Sequence, residues 1–360
     1  MKCSSPQSEY FRASWRFPGD RWTLTGHSRA LERTGFWIPE LRIMLDAGVD
    51  LPTNSGARPL AILITHGHID HMNSLPMLLR HRDVVKEKSQ QRSVLAPAPI
   101  LHRLRQFSQL SWAVKVDEGN ELPAEYAPPS DQDRLICGPA IFQDAVETNW
   151  HAVTAENTID LKLGKKANQA FQIRTVTLFH GLCSSIGYIL SSPPSIKRKV
   201  RKDLMASTQK MTAENIKQAK ARGEEIHEET VTNETLHFAF VLDTTIEALM
   251  VEKSDTASQI LACPVIVIEC TYLEDDKEDE AVRRGHVWWG GLRKFIQESN
   301  ETTWVLVHFS LRYSEEEIVN FFENADRSKV QLRAPGPDRP PDIVLWLDQG
   351  PKELWINEWL

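Results

Sequence analysis

A mixed α/β or α+β domain, with layered sheets and helices packed outside them, is what this sequence predicts. Short β-branched or apolar runs recur along the chain, and helical patterns sit between several of them. Hydrophobic residues make up 41% and charged residues 25%, ordinary proportions for a soluble globular chain. A chain of 360 residues buries roughly 75% of its unfolded surface, enough for a large core without staples. These observations exclude a disordered tail, a fibrous repeat and a disulfide mini-protein.

Strand-forming runs are read in order at FWIPEL (36–41), RIMLDAG (42–48), PLAILIT (59–65), QIRTVTLF (172–179) and IGYIL (186–190). Later runs are HFAFVLD (237–243), PVIVIECTY (264–272), TTWVLVHFS (302–310) and DIVLWLDQG (342–350). Between them lie helical patterns: SLPMLLRHR, ILHRLRQFSQL, AENIKQAKARG, TASQILA, VWWGGLRKFIQES and SEEEIVNFFENA. Pro-rich stretches at 121–133 and 334–342 read as surface loops. There is no internal repeat and no Gly/Ser linker, so a single domain over 1–360 is expected. Residues 191–235, polar and poor in large apolar groups, read as a charged insertion projecting from that domain.

Lys and Arg number 42 against 49 Asp and Glu, a net charge of −7, which speaks mildly against a nucleic-acid binder. The charge is segregated, however. KRKVRK at 197–202 holds five positive charges, while EEIHEET (224–230) and LEDDKEDE (273–280) hold the acid. Lys197, Arg198 and Lys199 are candidate contacts to an RNA backbone, through phosphates and without base readout. The five cysteines are scattered without a C-x-x-C, and the N-terminus lacks the apolar core of a secretory signal. An intracellular protein in cytoplasm or nucleus, with no membrane span, is expected; organelles stay open. Cys183 and Cys270 are expected to be small buried hydrophobes. Trp304 and Trp346, in apolar company, are expected in the core.

The densest chemical signal is THGHIDH at 65–71, between the β-run PLAILI and a helical pattern that Asn73 or Ser74 can cap. His66, His68, Asp70 and His71 are thereby expected on a tight loop leaving a buried strand. Imidazole is the commonest metal ligand, and carboxylate suits hard or borderline cations. The H-x-H-x-D-H spacing lets alternate residues point to two metal centres. The competing view is a polar surface turn.

This element resembles the metallo-β-lactamase superfamily, an αββα sandwich with a two-zinc site at the sheet edges. That family's further ligands close later strands, and His180, Asp243 and His308 each close one here. HFSLRYS (308–314) resembles the H-F-S-x-R-Y element of ribonuclease Z, which trims tRNA 3′ trailers; IECTYLEDD (268–276), GHVWWGGLRKF (285–295) and GHSRALERTGFWIPELRIMLDAG (26–48) resemble other segments of it. His180 to Gly187 and Tyr188 echoes its H-x(6,7)-G-Y. The likeness runs from about residue 26 to about 315, at the size of the short forms.

The resemblance implies two zinc ions per chain. One would be held by His66, His68, His180 and Asp243, the other by Asp70, His71, Asp243 and His308. Zinc of this kind lowers the pKa of a bridging water and clamps both oxygens of an in-line displacement, and Asp70 would orient the attacking group. His286 with Glu269 is the implied acid pair for the departing 3′ oxygen, and Arg312 either meets a phosphate or braces the His308 loop. Asp46 in LDAG is a supporting or turn residue. The implied partner is RNA, as precursor tRNA, and family members commonly form homodimers. Leu242 stands where many members have Gly, and 191–235 lacks their Gly-Pro-rich tRNA-gripping tip. A small or cyclic phosphodiester and a non-catalytic binding protein are therefore the competing functions.

Overall fold

The computed structural model describes residues 9–11, 13–19, 21–51, 58–80, 92–111, 148–164, 169–205, 209–299, 301–335 and 339–360. The Pro-rich stretch at 121–133 lies outside the described residues. Among the described residues the first seven strands form one sheet in chain order. They are β1 (Ser14–Arg16), β2 (Thr23–Arg29), β3 (Arg33–Ile38), β4 (Ile43–Leu45), β5 (Ala61–Leu63), β6 (Arg92–Pro97) and β7 (Thr148–Val153). The pairings β1 to β4 are antiparallel and those from β4 to β7 are parallel.

The remaining strands are β8 (Thr158–Leu163), β9 (Gln169–Thr177), β10 (Ile186–Ser192), β11 (Ser195–Val200), β12 (His227–Thr232), β13 (Thr235–Val241), β14 (Val265–Glu269), β15 (Thr303–Val307), β16 (Val330–Arg333), β17 (Ile343–Leu345) and β18 (Lys352–Trp359). Nine of them build a second sheet in the order β16-β18-β17-β15-β14-β13-β10-β9-β8. Its centre, β13, β14, β15 and β17, is parallel. β11 and β12 pair as a separate antiparallel ribbon, with the helix Gln209–Ala221 between them in sequence.

Parallel strands are covered on both faces and so read as continuous apolar runs, which is why VIVIE and TWVLV were legible as strands. Their side chains alternate between two cores. Leu45, Leu63 and Leu95 of the first sheet meet Tyr188, Phe240, Val267 and Val305 of the second in a shared interior. The intervening Met44, Ile62 and Val94 pack outward against Leu75, Leu78 and Leu104 of the helices Leu75–Arg80 and Ala98–Leu110. On the other side Ile266, Ile268, Trp304 and Leu306 pack against Trp289, Leu292, Ile318 and Phe322 of the helices Trp289–Glu298 and Glu315–Glu323. The result is four layers, helix, sheet, sheet, helix, as the resemblance implies. Trp304 and Trp346 are buried in these interiors. No helix among the described residues is long and apolar enough to cross a membrane.

Tyr188 ties the sheets together at the end that matters for function. Its hydroxyl, fully buried, donates to the Ile64 carbonyl at 2.6 Å, just beyond β5. The preceding Gly187 leaves no room for a side chain: a Cβ there would lie 2.7 Å from the Val176 side chain and 3.0 Å from the Phe240 carbonyl. The Gly-Tyr pair is thus a packing requirement of β10 between its two neighbours.

Candidate metal centre

Asp46, His66, His180, Asp243 and His308 all lie within three residues after the ends of β4, β5, β9, β13 and β15, and Glu269 is the last residue of β14. Strands running in one direction deliver their carboxyl ends to one edge, where α/β folds collect ligand-binding groups. Three of these residues leave their strands in the left-handed region: Asp46 at φ 56°, Asp243 at φ 51° and His308 at φ 59°. Such backbone costs about 1–3 kcal/mol per residue and persists where the surroundings over-determine it, typically at functional sites. The THGHIDH loop is shorter than expected, because Asp70 and His71 belong to a helical turn, Ile69–Met72. Gly48 permits that turn: a Cβ on it would lie 1.7 Å from the Asp70 carbonyl oxygen.

Asp243 occupies the centre. Its Oδ2 lies 3.6 Å from His66 Nε2 and 3.7 Å from His180 Nε2, while its Oδ1 lies 3.4 Å from both His71 Nε2 and His308 Nε2. One carboxylate thus turns one oxygen to each of two histidine groups. His68 Nδ1 joins the first group, 3.2 Å from His180 Nε2. Asp70 joins the second, its Oδ2 lying 3.6 Å from His71 Nε2 and 3.9 Å from His308 Nε2. Within each set, His66, His68, His180, Asp243 and Asp70, His71, His308, the donor atoms lie within 4.8 Å of one another. His66 Nε2 and Asp243 Oδ1 are buried without a hydrogen-bond partner, though each burial without compensation costs about 1–3 kcal/mol. Convergent, orphaned nitrogen and oxygen donors fit divalent cations.

The metallo-beta-lactamase superfamily profile matches residues 34–142, a span that includes Asp46 and the whole H-x-H-x-D-H element. Residues 34–142 are thus similar to the metallo-β-lactamase superfamily. The chain is also similar to two curated proteins of Arabidopsis thaliana. tRNase Z TRZ1 is 24% identical over 305 residues, 84% of this chain and 88% of that protein. The chloroplastic tRNase Z TRZ2 is 24% identical over 309 residues, 83% of this chain and 70% of that protein. Among solved structures, the short form of human tRNase Z is 19% identical, covers 85% of this chain and 92% of its own, and superposes with a TM-score of 0.38. A long-form RNase Z from yeast is 11% identical, covers 95% of this chain and 40% of its own, with a TM-score of 0.47. The superfamily match over residues 34–142 and the convergent His/Asp cluster agree with a metal-dependent hydrolase.

At this centre the far nitrogen of each clustered histidine has a partner, and these partners aim the near nitrogens inward. His71 Nδ1 meets Asp46 Oδ2 at 2.8 Å, and His180 Nδ1 donates to the Gly285 carbonyl at 2.8 Å. His66 Nδ1 lies 3.0 Å from Thr65 Oγ1, whose hydroxyl donates to Asp46. His308 Nδ1 lies 3.2 Å from Thr271 Oγ1, which donates to Glu269 at 2.5 Å. Electrostatics follow from burial. Desolvation, with neighbouring histidines, holds His66 well below 6.5, hence neutral. Burial also opposes charge on His71, but Asp243, Asp46 and Asp70 outweigh it and hold that ring up at about 9. Burial would raise Asp243; His308, His71 and His66 instead keep its carboxyl well below the usual range.

His286 stands beside the cluster, its ring 5.0 Å from that of His180 and 5.7 Å from that of His308. Its Nδ1 meets Glu269 Oε2 at 2.9 Å. Glu269, fully buried, also accepts from the Thr244 backbone N–H at 2.6 Å. Desolvation works against charge on His286, yet Glu269 and Asp243 prevail and hold it at about 9. Arg312 pairs with Glu280 at 3.0 Å and lies over the Tyr272 ring at 4.8 Å. Lys197, Arg198 and Lys199 lie on β11, where the register sets Arg198 opposite Glu229 and Lys199 opposite Glu228. Lys199 is exposed; the Lys197 and Arg198 side chains lie outside the described ones. Cys270 is buried as expected, but Cys183 is not: it is partly exposed, with Sγ 3.1 Å from His68 Nε2. A cysteine just before an apolar run reads as core, and only the return of the His180 loop puts it beside His68. Thr65, Thr244, Thr271 and Gly285 were not singled out by sequence; their part is set wholly by tertiary contacts.

Proposed function

We propose that this chain is a zinc-dependent endoribonuclease that removes 3′ trailers from precursor tRNA. The observation that carries the proposal is Asp243, whose two oxygens face two separate histidine groups, with the tRNase Z likeness over most of the chain pointing to RNA as the substrate. His66, His68, His180 and Asp243 would hold one ion, and Asp70, His71, His308 and Asp243 the other. Two such ions, when bound, supply an activated water and charge neutralisation at the phosphate.

The chain's own residues supply the rest. Asp70, at the mouth between His71 and His308, orients the attacking group. His286, steered by Glu269, delivers a proton to the departing 3′ oxygen; such general acids contribute roughly 10²–10⁴-fold. The buried Glu269 fixes the tautomer, since its carboxylate accepts the Nδ1 proton and leaves Nε2 as the nitrogen that faces substrate. Arg312 can turn from Glu280 to a phosphate, a bidentate exchange that its guanidinium suits.

The test is cleavage of a 3′-extended tRNA precursor beside bis-p-nitrophenyl phosphate by the zinc-loaded protein. Endonucleolytic cut at the trailer junction is expected. Turnover of the small diester with an untouched precursor would contradict the tRNA assignment while leaving the metal site standing.

A further inference from the structure

Each of the five clustered histidines needs its far ring nitrogen occupied if its near one is to meet a cation as a lone pair. Four of them use buried oxygen: Asp46 for His71, Thr65 for His66, Gly285 for His180 and Thr271 for His308. The fifth, His68, is the exposed member of its set. Its ring lies 4.7 and 5.0 Å, centroid to centroid, from those of His66 and His180. Its far nitrogen, Nε2, meets Cys183 Sγ at 3.1 Å.

We infer that Cys183 is the positioning residue for His68, the sulfur counterpart of the four buried oxygen partners. The inference rests on the metal-centre reading above and goes beyond it. His180 commits Nδ1–H to the Gly285 carbonyl, which leaves Nε2 as the nitrogen that can present a lone pair to a cation. The orphaned His66 Nε2 and Asp243 Oδ1 fit a cluster built around cations. His68 must then present Nδ1, 3.2 Å from His180 Nε2, as a lone pair as well. Its proton therefore resides on Nε2, and the acceptor within reach is the Cys183 sulfur, which accepts weakly but is correctly placed. Cys183 belongs to none of the converging donor sets among the described residues, so it holds the ligand and does not itself ligate. Partners of this kind typically carry 10–100-fold in metal affinity.

The test uses the full chain and zinc affinity measured by chelator competition. Wild type is expected to bind two equivalents. Cys183→Ala should retain one at wild-type affinity and weaken the other about 10–100-fold. Cys183→Ser, which restores an acceptor, should recover most of that loss, and His68→Ala should weaken the same equivalent. Wild-type affinity for both equivalents in Cys183→Ala would overturn the inference. So would a thiolate-to-cobalt charge-transfer band in the cobalt-loaded wild type that disappears in Cys183→Ser, because Cys183 would then be a ligand. If wild type binds no metal, the metal-centre reading itself fails, and that shows before any substitution is made. Far-ultraviolet circular dichroism of the metal-free variants separates a lost partner from a lost fold.

Discussion

Replacing Asp46 by Asn exchanges one oxygen for an NH₂ group and, on this geometry, relocates one proton. Asp46 is fully buried and accepts from the Thr65 backbone N–H at 2.7 Å, from the Thr65 hydroxyl at 2.9 Å and from His71 Nδ1 at 2.8 Å. An amide that keeps its oxygen on the Thr65 N–H must turn its NH₂ towards His71. Two donors then face each other, and once zinc has displaced the second proton of His71 the ring relieves the conflict by keeping its remaining proton on Nε2, the nitrogen 3.4 Å from Asp243 Oδ1. Losing a charge-assisted hydrogen bond costs about 1.5–3 kcal/mol, which corresponds to roughly 10–150-fold in an equilibrium constant. One of two zinc equivalents should therefore weaken by one to two orders of magnitude, and the other should not change. Chelator competition reads the affinity, and ¹⁵N chemical shifts of the His71 side chain read the tautomer. Two equivalents at wild-type affinity, with Nδ1 still protonated, would refute the reasoning.

Gly48→Ala should destabilise the fold by about 1–3 kcal/mol or more, since the new Cβ would sit 1.7 Å from the Asp70 carbonyl oxygen; the urea midpoint and the zinc content should fall together. His286→Ala should lower trailer cleavage roughly 10²–10⁴-fold with zinc content unchanged, whereas loss of zinc would make His286 a ligand. His237 supplies a pH test remote from the cluster. Burial among Trp22 and Phe171, reinforced by Arg21, pulls its pKa from 6.5 down to about 4. The unfolded ring thus binds a proton that the folded ring refuses, so stability is full above pH 6.5 and falls as pH drops towards 4. His237→Phe should flatten that dependence of the urea midpoint, and an unchanged slope would count against it.

The metal centre was legible to the extent that its residues are contiguous or close apolar runs. His66, His68, Asp70 and His71 fall within six positions, and His180, Asp243 and His308 each follow a β-run that announces a buried strand. The central parallel strands were legible for the same reason, being apolar on both faces. Edge strands were not: TIDLKL of β8 and VQLR of β16 are short, alternate polar with apolar and carry the charge of solvated faces. The acidic LEDDKEDE block read as a charge run, yet its end starts the helix Glu278–Arg284, which Gly285 closes at φ 75°. Least legible were the partners of the histidines. Asp46 reaches His71 across 25 positions, Thr271 reaches His308 across 37, and Gly285 reaches His180 across 105, separations that carry no local signal.

The most direct test of the account is metal content per chain in the purified protein, with Asp243→Ala beside it. Asp243 faces both histidine groups, so wild type should carry about two zinc ions and the variant one or none. No metal in wild type, or two ions retained without the Asp243 carboxylate, would contradict the claim that this residue joins a dinuclear centre.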